Sequence, residues 1–107
     1  MKVAVFIRSI AVLGFVAAAL ATASAVVAGD PPPQYAASCG ACHAVGVAGA
    51  PKTGDAEAWA ARLKVKGMEG LIASVRNGIN AMPPGGLCNS CSDQDHAELI
   101  NYMAAAK

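Results

Sequence analysis

Hydrophobic positions follow two patterns along this chain. From Ile10 to Leu20 they run almost unbroken, whereas after Asp30 they recur at intervals of three and four. Met68, Leu71, Ile72 and Val75 have helical spacing, which predicts a helix over about 68–77, and Gly78 is suited to end it. Trp59 and Leu63 are one turn apart behind Asp55, a residue that suits an N-cap, which predicts a helix from Asp55 to about Lys64. Leu99, Ile100 and Met103 form the apolar face of a last helix that starts after Ser92. There Ser92 with Asp95 has capping-box spacing, Asp standing in place of the usual Glu. A short helix is expected from Pro33 or Gln34 to about Ala41. The stretch from Ala44 to Gly54 reads as loop, punctuated by Gly46, Gly49, Pro51 and Gly54. Strand alternation, internal repeats and low-complexity tracts are absent, so the class read from the pattern is all-α, with about four short helices.

The unbroken apolar run belongs to a different category. Lys2 and Arg8 precede it, and Ala23-Ser24-Ala25 follows with small residues at the spacing of a cleavage site. Residues 1–25 therefore read as a secretory signal peptide, with Val26-Val27-Ala28 placing cleavage as late as residue 28. The competing reading is an uncleaved anchor, since Ser9 to Gly29 is 21 residues without a charge. In either case the rest is exported, and the expected location is the periplasm. Residues 26–33 form an extended, proline-rich lead-in, and 34–107 a single domain.

Composition narrows the picture. Cleavage after Ala25 leaves 82 of the 107 residues, with only Tyr35, Trp59 and Tyr102 as aromatics. So small a domain usually needs a staple beyond its side-chain core. Without Lys2 and Arg8 the charge is six basic against seven acidic, which offers no electrostatic case for nucleic acid or an anionic membrane. No further membrane span is expected, and the protein is expected to be a monomer.

The staple is legible in Cys39-Gly40-Ala41-Cys42-His43, the attachment pattern of c-type haem. Two thiols one turn apart reach the two vinyl groups of a porphyrin, and the next residue brings an imidazole to the iron. The competing reading is a redox or zinc pair beside an unrelated histidine. The haem's flat apolar surface would itself serve as core.

Function then turns on the second axial ligand. A methionine sulfur gives an electron-transfer centre, and an open position favours gas or peroxide chemistry. Met68 and Met103 sit at core spacing within helices, where methionine usually fills gaps. Met82 lies outside any helix, and the two prolines after it stiffen its loop, which spares a weak iron–sulfur bond the entropy of ordering. Met82 is thus the leading candidate and His96 its main rival. As a residue in the first turn of the last helix, His96 is expected at the surface or half-buried.

Taken together, Cys39-x-x-Cys42-His43, Gly49-Ala50-Pro51-Lys52, Asn77-Gly78 and Met82-Pro83-Pro84-Gly85-Gly86 resemble a small class I bacterial cytochrome c. Cys88-Asn89-Ser90-Cys91-Ser92-Asp93 directly after the methionine loop is similar to the cytochrome c5 group. The resemblance spans nearly all of Gln34 to Met103. It implies the compact helical cytochrome c fold around one covalent haem c, with Cys39 and Cys42 as thioethers and His43 and Met82 as axial ligands of the iron. It also implies that the Pro51 carbonyl accepts the other ring N–H of His43, that Cys88 and Cys91 form a disulfide, and that the protein carries electrons between redox protein partners. One departure is Gly85-Gly86-Leu87, where a basic residue often follows the prolines in relatives.

The residues of the second cysteine pair leave three readings open. A structural disulfide suits an oxidising compartment. A thiol–disulfide catalyst needs a βαβ setting that the pattern does not contain, and a zinc site is disfavoured by the 45 residues between the pairs. Trp59 is expected to pack against the haem or to bond a propionate, with Arg62 also in question there. Arg62, Lys64 and Lys66 otherwise read as a solvated helix end. Tyr35 and Tyr102 are expected to meet where the first and last helices cross. The resulting expectation is a periplasmic one-electron carrier without catalysis of its own. The alternatives are a haem protein with an open sixth site and an oxidoreductase using Cys88 and Cys91.

Overall fold

The computed structural model describes residues 29–107, together with 14, 18 and 19. Apart from those three positions the expected signal peptide lies outside the described residues, as does its cleavage site. Among the described residues three α-helices follow in order: α1 at Gly40–His43, α2 at Ala56–Asn77 and α3 at Asp93–Ala104. Short 3₁₀ turns stand at Val47–Gly49 and Pro84–Leu87. Among the described residues there is no strand beyond one bridge between Ile79 and Met82, and no helix is long and apolar enough to cross a membrane.

α2 begins where Asp55 Oδ1 accepts the Ala58 N–H at 3.1 Å, satisfying one of the donors a helix start leaves free. It is continuous in name only. Gly67 has φ 66° and ψ 173°, well outside helical values, and divides it into the two segments read from the sequence. That conformation is open to glycine and strained for other residues. The second segment ends at Gly78 with φ 79°. α3 opens on a reciprocal cap: Asp95 N–H donates to Ser92 Oγ at 3.1 Å, and Ser92 N–H to Asp95 Oδ2 at 2.8 Å.

α2 and α3 pack on each other, and the buried core is Trp59, Leu71, Ile72 and Val75 from the first with Leu99, Ile100 and Met103 from the second, plus Cys39. An exposed ion pair, Arg76 with Asp93, joins the end of α2 to the start of α3.

The expected helix from Pro33 or Gln34 to Ala41 is a correction. Residues 33–39 are successive turns, and helix begins only at Gly40. Pro31, Pro32 and Pro33 have no N–H to give a ladder. The Tyr35 carbonyl accepts from both Ser38 and Gly40, and the Ser38 hydroxyl donates to the Gln34 carbonyl at 2.6 Å, bonds that replace a regular i to i−4 series. Tyr35 anchors these turns: its ring meets Tyr102 edge-on at 4.9 Å, and its hydroxyl pairs with Thr53 Oγ1 at 2.8 Å.

Candidate functional site

α1 carries Cys39 at its N-cap, Cys42 inside it and His43 at its end, so the two sulfurs lie one turn apart on one side of a single helical turn. Cys39 and His43 are buried. The loop that follows folds back on this turn. Thr53 N–H donates to the His43 carbonyl at 2.7 Å. The carbonyls of Pro51 and Lys52 accept from His43 Nδ1 at 2.8 Å and from Trp59 Nε1 at 2.9 Å.

A carbonyl can only accept, so the proton of a neutral His43 ring sits on Nδ1 and Nε2 keeps its lone pair. That tautomer is the one a metal-binding imidazole requires. The Trp59 ring lies beside the imidazole, with centroids 5.4 Å apart. Its single N–H donates to the Lys52 carbonyl, which favours the packing reading of Trp59 over the propionate one.

Cys39, Cys42, His43 and Met82 all line one cavity of about 250 Å³, whose other walls include Leu71, Val75 and Leu99. Met82 is half-buried and held by its own loop. Ile79 and Met82 exchange both backbone hydrogen bonds, at 2.9 and 3.1 Å, which closes a tight turn after Gly78. A Cβ on Gly78 would come within 2.9 Å of the Met82 carbonyl and 3.0 Å of Pro84 N, so this close backbone approach requires glycine. Gly86 is buried with φ 59°, and a Cβ there would meet the Met82 methyl at 2.9 Å. The thioether is therefore cradled by backbone.

Cys88 and Cys91 are bonded to each other, with Cα atoms 5.4 Å apart, between the methionine loop and α3. Asp95, in the cap that follows, is held below the ordinary carboxylate value by the Ser92 backbone N–H and then by the Ser92 hydroxyl.

His96 departs from expectation. It is 5% exposed, it lines the same cavity, and neither ring nitrogen has a hydrogen-bond partner. The signal was present in the spacing. Residues 96, 99, 100 and 103 make one helical stripe, and the reading began it one turn late because histidine is polar. Arg62, Lys66 and Ser74 also line the cavity, with Lys66 Nζ donating to Ser74 Oγ at 2.8 Å.

The donor set fits a covalently held haem. Two thiols, an imidazole with a free Nε2 and a thioether share one largely apolar cavity in a small domain.

Comparison with known proteins agrees. Residues 29–103 match the family model for cytochrome c oxidase, cbb3-type, subunit III. The chain is 49% identical over 67 residues to cytochrome c5 of Ectopseudomonas mendocina, covering 62% of this chain and 77% of that one. It is 35% identical over 101 residues to cytochrome c-555 of Chlorobaculum tepidum, covering 83% and 93%. A solved structure of an electron transfer complex of nitrite reductase with cytochrome c contains a similar chain. That chain has 38% identity and a TM-score of 0.59, over 69% of this chain and 94% of its own. The protein is a member of the class I c-type cytochromes, of the cytochrome c5 group, with one covalently attached haem c.

Proposed function

We propose that this cytochrome is an exported, periplasmic carrier that moves one electron at a time between redox proteins of a respiratory or related chain. In this reading residues 1–25 are removed and 34–107 form the haem domain. Cys39 and Cys42 would hold the haem as thioethers, and His43 Nε2 and Met82 Sδ would bind its iron. The observation that carries the reading is the pairing, in one apolar cavity, of a tautomer-fixed imidazole with a thioether cradled by glycine. When bound, the haem supplies a one-electron couple whose potential a methionine ligand raises.

The chain's own residues do the rest. The Pro51 carbonyl keeps the proton on Nδ1 and so keeps Nε2 basic. The stiff Met82-Pro83-Pro84 segment and the Gly86 cradle hold the sulfur in place, so that it need not be ordered at each change of charge. The Leu71, Val75 and Leu99 walls exclude water, which keeps solvent rearrangement small when the charge changes. The neighbouring cytochrome found in a complex with nitrite reductase supports redox proteins as partners. Pairing of Cys88 with Cys91, in a setting without βαβ units among the described residues, supports a structural role for that pair over thiol catalysis.

The test is carbon monoxide added to the reduced, haem-loaded protein. A carrier with both axial positions filled binds none on the timescale of mixing, and rapid binding supports the open-site alternative instead. The mass of the exported protein tests cleavage, which is expected to leave Val26 at the N-terminus.

A further inference from the structure

His96 is the one buried imidazole that the carrier reading leaves without a task. It lines the haem cavity, and both of its ring nitrogens are closed off from solvent without a partner. A bound haem can only bury the ring further. A buried polar group left unbonded is costly, and any new bond it makes recovers part of that cost.

The position of the ring follows from how α3 lies. The start of α3 comes directly after the Cys88–Cys91 disulfide, which closes the segment behind Met82. Arg76, at the end of α2 and just ahead of the Ile79–Met82 turn, pairs with Asp93 in the first turn of α3. At the other end of α3, the Met103 carbonyl accepts the Gly54 N–H at 2.8 Å, beside Thr53, whose N–H donates to the His43 carbonyl. The helix therefore runs from the methionine segment to the histidine segment. His96, in its first turn, stands at the methionine end.

The other nitrogen groups that line the cavity are committed elsewhere. His43 is tied to Pro51, and the Lys66 ammonium donates to Ser74 Oγ. The Arg62 guanidinium donates to the Ala58 carbonyl and has no lone pair to offer a metal. The His96 ring gives up no hydrogen bond by turning, and a neutral imidazole keeps a lone pair on one nitrogen. Imidazole also suits iron as a ligand.

We infer that His96 is a reserve axial ligand. When the Met82 sulfur leaves the iron of the bound haem, the His96 ring turns and one of its nitrogens takes the same position. One iron–sulfur bond breaks and one iron–nitrogen bond forms. No electron is transferred, and the other ring nitrogen keeps its proton. Peroxide is one cause of such a loss, since it oxidises a thioether to the sulfoxide and is itself reduced to water. The result is a closed centre with two histidines in place of an open, reactive iron. Its potential is lower, because methionine is the ligand that raises it. The inference rests on the His43 and Met82 reading and goes beyond it.

The test uses the haem-loaded protein at neutral pH as wild type, Met82→Ala, His96→Leu and the double variant. Ferric Met82→Ala should stay low-spin by electron paramagnetic resonance, and the double variant should be high-spin. Reduced Met82→Ala should bind carbon monoxide at least about tenfold more slowly than the double variant, since only molecules with the ring turned away have an open iron. Free imidazole added to the double variant should restore the low-spin signal, which separates a missing ligand from a collapsed site. His96→Leu alone should keep the far-red methionine band of the wild type.

A high-spin Met82→Ala overturns the inference, as does a low-spin signal that survives in the double variant. Loss of the methionine band in His96→Leu assigns His96 to supporting the Met82 segment and overturns it too. The wild-type spectrum distinguishes the two possible failures. Without a methionine band the His43 and Met82 reading falls and the reserve role with it. With that band, a high-spin Met82→Ala removes the reserve role alone.

Discussion

The least expected residue in the cavity is His96. An imidazole with two buried, unpartnered nitrogens is a cost of about 1–3 kcal/mol. His96→Leu removes that cost at similar volume, so it is expected to raise unfolding stability by about 1 kcal/mol in chemical denaturation. A drop would mean that the ring has a partner the structure does not show. Gly86 predicts the opposite sign. Gly86→Ala drives a Cβ to 2.9 Å from the Met82 methyl at φ 59° and should cost about 1–3 kcal/mol. Its ferric spectrum should show a weakened sulfur bond. His43 was legible because its place after two spaced cysteines has one economical chemical meaning. Met82 stood out because two prolines follow it. His96 was not legible, because reading polarity as exposure hid a side chain that completes an apolar stripe. The Gly86 cradle also escaped, since only coordinates show what a missing Cβ would strike.

At the level of elements, caps and breakers carried most of the information. Asp55 and Ser92 start their helices with side-chain bonds, and Gly67 and Gly78 interrupt and end α2 by leaving the helical region. The first helix was misread because a Pro-rich start followed by small residues suits turns as well as helix. Bonds from Ser38 and Gly40 to the single Tyr35 carbonyl then decided for turns. The α3 cap has a pH signature. The Ser92 backbone N–H, and after it the Ser92 hydroxyl, hold the Asp95 carboxyl below its ordinary value in the folded state. Its contribution to stability is therefore complete above that ordinary value and is lost as pH falls through the lowered one. Ser92→Ala should cost about 1 kcal/mol at neutral pH and should flatten this acid limb, as followed by denaturation between neutral and acid pH. Reducing the Cys88–Cys91 bond should cost at most about 2 kcal/mol, since it closes so short a loop. The helical circular dichroism should survive that reduction.

For the whole molecule, the described core is a handful of side chains from two helices, closed around a cavity and not around themselves. A domain this small gains little from such a core alone, so the haem and its protein bonds are expected to supply much of the stability. Four residues from two stretches of chain, Cys39 and Cys42 with His43, and Met82 forty residues on, converge on that cavity. The central claim is that His43 and Met82, which line this cavity together, would both bind the iron of the haem held there. The most direct test is the far-red absorption of the oxidised, haem-loaded protein beside Met82→Ala. The account predicts a weak methionine–iron charge-transfer band in the wild type that disappears in the variant. A wild-type spectrum without that band, or a band that survives Met82→Ala, would contradict it.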